Sequence, residues 1–378
     1  MIFPAIAGII IVLGVLWEAF ETIILPRRVA RRFRLTRVFY ISTWFPWKAI
    51  ARNFHSSKRR ETFLSFFGPL SLLMLFVLWA VSLIFGFALL YHGAAPQSDP
   101  VLSTFRTDLY MSGTTFFTLG LGDVTPHTQL ERVLAVCESG IGFGFLALVI
   151  SYLPVIYQAF SRREVNIVLL DARGGSPPTA AEILRRHSGE DGKKALQGLL
   201  SDWERWSAEI LESHVSYPVV SYFRSQHSNE SWLAALTAIL DVSALLIAAA
   251  DNACTRQARL TFAMCRHTVV DLSQVFYRTP VHSGHDRLPP AEMLRLQAAL
   301  RQAGFHFKEG EATESKLKEL RDMYEPFVRA LAKHLYLDLP PWILAKEIVD
   351  NWRTSAWGRI AGSAGVSRVD AVADEHDD

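Results

Sequence analysis

Cysteine is nearly absent from this chain, and charged side chains are missing from long stretches of its first 160 positions. Three cysteines, Cys137, Cys254 and Cys265, are too few for a disulfide framework, which excludes a small disulfide-stapled secreted scaffold. Cys254 and Cys265 read as reduced cytosolic thiols. No basic residue precedes the first apolar run, as a cleavable signal sequence would require, so that run is expected to stay as a membrane span. No Ser-His-Asp arrangement, phosphate-cradling glycine loop or paired-carboxylate pattern is visible, and the chain does not read as an enzyme.

What is present is apolar. Hydrophobic residues make up 50% of 378, while net charge is only +2. The length suffices for two domains. A helix needs about 20 apolar residues to cross a hydrocarbon core about 30 Å thick. Residues 2–25, 62–91 and 130–160 meet that need, and no charge falls between Phe63 and Tyr91. Glu18 and Glu21 share one face near the end of the first span. Glu21 is expected to pair with Arg27 or Arg28, and Glu18, costly in lipid, with a neighbouring helix.

Between the first two spans, residues 26–60 interleave eleven Arg and Lys, from Arg27 to Arg60, with Phe33, Phe39, Tyr40, Trp44, Phe45, Trp47 and Phe54. Arginine among aromatics can mark nucleic-acid binding, but between spans it marks a helix lying in the headgroup plane, with anionic lipid rather than nucleic acid as its partner. Positive-inside reasoning puts this segment in the cytoplasm and the N-terminus outside. Residues 92–104 lack Lys and Arg and suit an external loop. A short re-entrant helix is expected from Ser103 to about Phe116, its negative end aimed at a cation path. Ser161-Arg162-Arg163 is taken as the inner end of the third span.

The run Thr118-Leu119-Gly120-Leu121-Gly122-Asp123 follows that helix. Glycine reaches left-handed backbone angles that other residues avoid. Alternation of ordinary and left-handed angles turns successive carbonyl oxygens the same way, and copies of such a strand around an axis stack oxygen rings that replace a cation's water shell. The run resembles the T-V-G-Y-G-D selectivity filter of potassium channels, and its G-L-G-D form resembles the second pore loop of some two-pore-domain members. The resemblance covers about Ser103–Phe160.

The resemblance implies a mainly α pore-loop channel of three spans plus a re-entrant helix, residues 1–160, in the cell's inner membrane. Carbonyls of Thr118, Leu119, Gly120 and Leu121, with the Thr118 hydroxyl, would coordinate dehydrated potassium, and Gly122 would close the outer ring. One loop per chain and no internal repeat imply a homotetramer. Leu121 replaces the usual tyrosine and Leu119 the usual valine, so the brace around the filter is altered while the oxygen count is kept. Thr114 stands where some members carry a pore-helix carboxylate bonded to the acid after the filter, here Asp123. Glu138 is read either as a brace behind the filter, bonding Thr114 or Thr115, or as a cavity charge that attracts cations. Gly142 falls at the family's hinge position, with close helix packing as the competing role. Phe143, Leu146 and Ile150 would face the cavity, and Pro154 would kink the inner end near a gate.

Residues 161–378 read as an all-helical cytosolic regulatory domain with an acidic disordered tail from about 360. Val165–Leu170 fits a strand or a continued helix, and Asp171–Pro178 a turn-rich linker. The run Leu233–Ala250 fits a fourth span or, given Asp241 and its alanines, a buried helix. No dinucleotide-binding glycine motif, cyclic-nucleotide pattern or voltage-sensing arginine array is visible. His214, His227, Cys265 and His267 are weak metal-ligand candidates without zinc-site spacing, and Ser216–His227 could line a pocket for an unidentified cytosolic ligand. No cofactor is implied beyond permeant potassium. A non-selective cation channel is the near alternative, and a non-conducting membrane-anchored sensor or scaffold the distant one.

Overall fold

The computed structural model describes residues 2–25, 34–94, 104–226, 230–250, 254–282, 284–305, 308 and 310–345. His227, the basic residues Arg27, Arg28, Arg31 and Arg32, and the acidic tail lie outside them. The described residues form helices, turns and irregular extended segments, with no β-strand. The chain divides into two compact units, Met1–Gln158 and Ala159–Asp378.

The first unit is built on apolar helices. Helix α1 (Ile2–Ala19) ends in one π-helical turn, Phe20–Ile24, and packs against α4 (Phe67–Ala94). The two backbones meet at paired glycines. A Cβ on Gly8 would lie 2.6 Å from the Gly86 carbonyl oxygen, and one on Gly86 would lie 2.8 Å from Val12. Small residues allow such approach where lipid offers no hydrophobic drive between helices. At the other end, buried Glu18 accepts from the Thr36 amide at 3.0 Å and the Thr36 hydroxyl at 2.7 Å. Arg34 lies 3.6 Å from Glu18 and 3.9 Å from Glu21. Arg34 is thus a cationic neighbour of Glu21 among the described residues.

The stretch between those spans forms two helices, α2 (Leu35–Ala51) and α3 (Ser57–Ser65). Trp47 stacks on Phe63 at 4.5 Å and donates to its carbonyl, and Trp44 packs on Phe67 at 4.7 Å. The aromatics therefore tie α2 to the end of α3 and the start of α4. The opposite face of α2 leaves Leu35, Val38, Ile41, Phe45 and Ile50 exposed. Helix α5 (Phe105–Phe116) packs on α4. Helix α6 (Gln129–Gly174) begins with a reciprocal cap. Glu131 accepts from the His127 and Thr128 amides at 2.7 and 3.0 Å, while the Thr128 hydroxyl accepts from the Glu131 amide.

Helix α6 runs through Pro154 and past Arg163 to Gly174. Of the two forms open to Val165–Leu170, strand or continued helix, it takes the helix, and the linker is reduced to a turn before α7 (Ala180–Arg186).

The second unit packs α8 (Gly189–Ser216), α9 (Trp232–Ala249), α10 (Cys254–Val275), α11 (Pro290–Gln302), α12 (Glu311–Asp322) and α13 (Glu325–Leu335). Among the described residues four helices are long and apolar enough to cross a membrane: Ile2–Ile24, Ser57–Ala94, Gln129–Gly174 and Trp232–Ala249. The last differs in being 89% buried by its own unit, which leaves almost no surface for lipid. Its central Asp241 takes both amino groups of Arg287, at 3.1 and 2.5 Å, and the Tyr324 hydroxyl at 2.5 Å. Arg287 also reaches the Pro340 carbonyl at 2.8 Å. Burial works against this guanidinium, yet Asp241 beside it pushes its pKa up and keeps it charged. A buried ion pair held this way belongs to the interior of a helical bundle.

Candidate functional site

The site begins where α5 ends. The Thr118 amide donates to the Thr115 carbonyl at 3.0 Å, and the Leu119 amide to the Thr114 carbonyl at 2.8 Å. This nested pair of bonds terminates a helix with its capping residue in the left-handed region. Glycine usually fills that position, but Thr118 does so here, at φ 56°. A β-branched residue there is strained by about 1–3 kcal/mol. Left-handed angles recur at Gly120 (57°) and Gly122 (79°), and no other residue from 118 to 122 has a positive φ. Left-handed angles thus occur at every second residue through Thr118–Gly122. Leu119 and Leu121 stay exposed on the single chain.

The acid after this strand is tied back to α5. The Tyr110 hydroxyl donates to Asp123 at 2.8 Å. The Thr114 hydroxyl instead turns onto the Met111 carbonyl at 2.9 Å, so the contact between helix and acid comes from one turn earlier than the sequence suggested. The first turn of α5 is held by Asp108, whose carboxylate lies 2.9 Å from the His92 ring at the end of α4.

Glu138, on α6, is fully buried. One carboxyl oxygen lies 2.5 Å from the Ser112 hydroxyl on α5, and the other 2.8 Å from the Tyr91 hydroxyl on α4. Thr115 joins one step removed, through Tyr91. The expected partners Thr114 and Thr115 are therefore replaced by Ser112 and Tyr91. The reason is helical phase: Asp108, Ser112 and Phe116 fall on one buried face of α5, while Thr114 and Thr115 do not. Glu138 thus ties α4, α5 and α6 together.

Gly142 is buried against the end of α5. A Cβ there would lie 2.1 Å from the Phe116 carbonyl oxygen, whereas Gly140 and Gly144 have open space. The alternating glycines are thus unequal: Gly142 seats the last turn of the short helix. Phe143, Leu146, Ile150 and Pro154 all lie on the exposed side of α6.

Of the weak metal candidates, the three among the described residues, His214, Cys265 and His267, form no metal-holding cluster. His214 is buried in α8 with its ring 5.0 Å from Trp232. Burial first, and the nearby Arg163 charge, hold its pKa well below the usual histidine range. Cys265 is buried beside Ser207, 2.9 Å away, and burial pushes its thiol up to about 12. His267 lies exposed, 3.9 Å from Asp271. Among the described residues no three His, Cys, Asp or Glu side chains are disposed to hold a metal.

Tyr91, Tyr110 and Ser112 were not singled out from the sequence. Ser112 had a legible signal, a small polar residue in phase with the apolar stripe of a short helix. The tyrosines had none, because each meets its partner only through the fold.

Residues 73–158 match a family model described as ion channel. The chain is also 22% identical over 265 residues to an uncharacterised membrane protein, YdjJ, of Bacillus subtilis strain 168, covering 68% of this chain and 74% of that protein. No solved structure matches. The family match spans α4, α5, the Thr118–Asp123 strand and α6 to Gln158. With the apolar helices it supports a multi-pass membrane protein of ion-channel type.

Proposed function

We propose that this protein is a potassium-preferring channel that conducts passively through a filter built by four copies of Thr118–Gly122. The observation that carries this reading is the alternation of left-handed angles at Thr118, Gly120 and Gly122 directly after the C-terminus of α5. That backbone can present carbonyl rings to a dehydrated cation, while the negative end of α5 favours positive charge. One strand per chain cannot enclose an axis, so the homotetramer follows. The protein lies in the inner membrane, with its N-terminus outside and residues 161–378 in the cytoplasm. The exposed apolar face of α2, with Arg37, Arg52, Lys58 and Arg59 nearby in sequence, rests on anionic lipid.

A non-selective cation pore is the second reading, favoured by Leu121. A leucine offers no hydroxyl to brace the carbonyl spacing, and each lost hydrogen bond is worth about 1 kcal/mol. Reversal potential of the purified protein in a bilayer, under opposed potassium and sodium gradients, tests the choice. A value near the potassium equilibrium potential is expected. A value near zero would replace potassium preference with unselective conduction.

A further inference from the structure

An open groove of about 1300 Å³ runs between α1 and α4 of the first unit. Ile10, Leu13, Gly14 and Trp17 line it from α1, Val81 and Phe85 from α4, and Leu35 stands at one end. Two glycines of α1 set its shape. Gly8 is pressed against Gly86, whereas a Cβ on Gly14 would meet nothing within 4 Å. The helices thus touch at one level and part at the next. Phe85 also meets the Phe105 ring edge-on at 5.6 Å, so the groove shares a wall with the start of α5.

Depth, size and ends identify the occupant. From Ile10 to Phe20 the lining rises about 15 Å along α1, one leaflet's share of a hydrocarbon core about 30 Å thick. The volume exceeds the roughly 300–1,000 Å³ of ordinary small-molecule sites and suits a long hydrocarbon body. At the Leu35 end the Trp17 ring nitrogen donates to Glu21 at 2.8 Å, and Glu18 accepts from the Thr36 hydroxyl. A tryptophan with such a polar tie marks the headgroup level. Leu35 also begins the exposed apolar face of α2, so the groove is continuous with the face that rests on lipid. Among the described residues α1 packs on α4 and not comparably on α5 or α6. The inference rests here on the four-copy reading, in which copies meet through the strand and leave α1 to the bilayer. We infer that the groove is a binding site for the acyl part of one phospholipid, drawn from the leaflet on the α2 side. Its headgroup lies beside Trp17 and Leu35.

Lipid retention by the full-length protein tests it. Gly14→Phe and Ser82→Phe fill the groove from its α1 and α4 sides, and Leu73→Phe changes an exposed α4 residue outside it. These variants and the wild type are reconstituted into dioleoylphosphatidylcholine vesicles and re-extracted in mild detergent. Native mass spectrometry then counts phosphatidylcholine and subunits in each. The expected result is phosphatidylcholine retained by the wild type and Leu73→Phe, at least fivefold less per subunit in Gly14→Phe and Ser82→Phe, and an unchanged subunit count. Equal retention in all four proteins, or none in the wild type, would overturn the groove site. A lower subunit count in the two groove variants would also overturn it, because another copy of the chain would then be the occupant. A wild-type count below four, with phosphatidylcholine lost from the two groove variants alone, would overturn the four-copy reading and leave the groove site standing.

Discussion

Ser112 and Glu138 hold each other in a place where neither can reach water. The Ser112 hydroxyl lies 2.5 Å from Glu138 and also 2.8 Å from the Ile84 carbonyl. A hydroxyl has one hydrogen, so Ser112 shares it between the Glu138 carboxyl oxygen and the Ile84 carbonyl. Glu138→Gln keeps an acceptor oxygen and the shape of the side chain. That variant is expected to retain assembly and single-channel conductance. Ser112→Ala leaves one oxygen of Glu138 and the Ile84 carbonyl without this partner, which costs about 1–3 kcal/mol. The heat stability of the assembled protein in gels reads this directly. A Glu138→Gln variant weaker than Ser112→Ala would show that the charge of Glu138, and not its bonding, matters.

Gly142 gives a second test, because its two roles predict different losses. As a hinge, Gly142→Ala would alter open probability alone. As the seat of α5, it must push the Phe116 carbonyl away from a point 2.1 Å from the new methyl, which shifts the end of the short helix and the strand that follows. Unitary conductance is therefore expected to fall or vanish in Gly142→Ala, while Gly140→Ala and Gly144→Ala, which have open space on the single chain, keep it. Normal unitary conductance with changed open times in Gly142→Ala would restore the hinge.

Much of this was readable in the residues and some was not. The spans and the Thr118–Asp123 run are local features, set by apolar length and by glycine placement. Glu138 was visible as an expensive carboxylate in an apolar helix, but its partners depended on helical phase across three elements. Arg162 and Arg163 read as the inner end of a span, while the helix that carries them runs on to Gly174. A charge pair can stop a span without stopping a helix, and nothing in Val165–Leu170 breaks helical hydrogen bonding. Arg287 lies 46 residues from Asp241 in sequence, so the pair that makes Trp232–Ala249 an interior helix leaves no local trace.

That pair supports a third prediction. Arg287→Leu would leave Asp241 buried beside Tyr324 without its cation, at a cost of about 3–5 kcal/mol. The second unit is expected to unfold at markedly lower temperature, followed by far-ultraviolet circular dichroism of the full-length protein in nanodiscs. Adding Asp241→Leu to the same chain removes the stranded charge, and much of the loss is expected to return. A double variant as unstable as the sum of its parts would mean that the residues act independently.

The last prediction concerns pH. Burial holds His214 well below the usual histidine range, with the Arg163 charge acting the same way, and burial together with Arg173 and Arg186 lowers His187. Both rings are therefore neutral in the fold at pH values where an unfolded chain, with histidine near 6.5, begins to take up protons. A lowered pKa contributes stability that is fully present above about 6.5 and is lost as pH falls below it. The slope is up to 1.36 kcal/mol per pH unit for each ring that must stay neutral. Asp286 and Glu182, lowered toward the acid side by their arginines, lose their contribution in the same direction but only below the ordinary carboxylate range, near 4. Between pH 7 and 5 the histidines should dominate the second unit. Thermal midpoints at pH 7.5, 6.5 and 5.5 are expected to fall stepwise in the wild type and less steeply in His214→Phe, which removes the titrating ring nitrogen and keeps an aromatic group against Trp232. If His214→Phe and the wild type lose stability in parallel over this range, His214 is not the group that couples folding to protons.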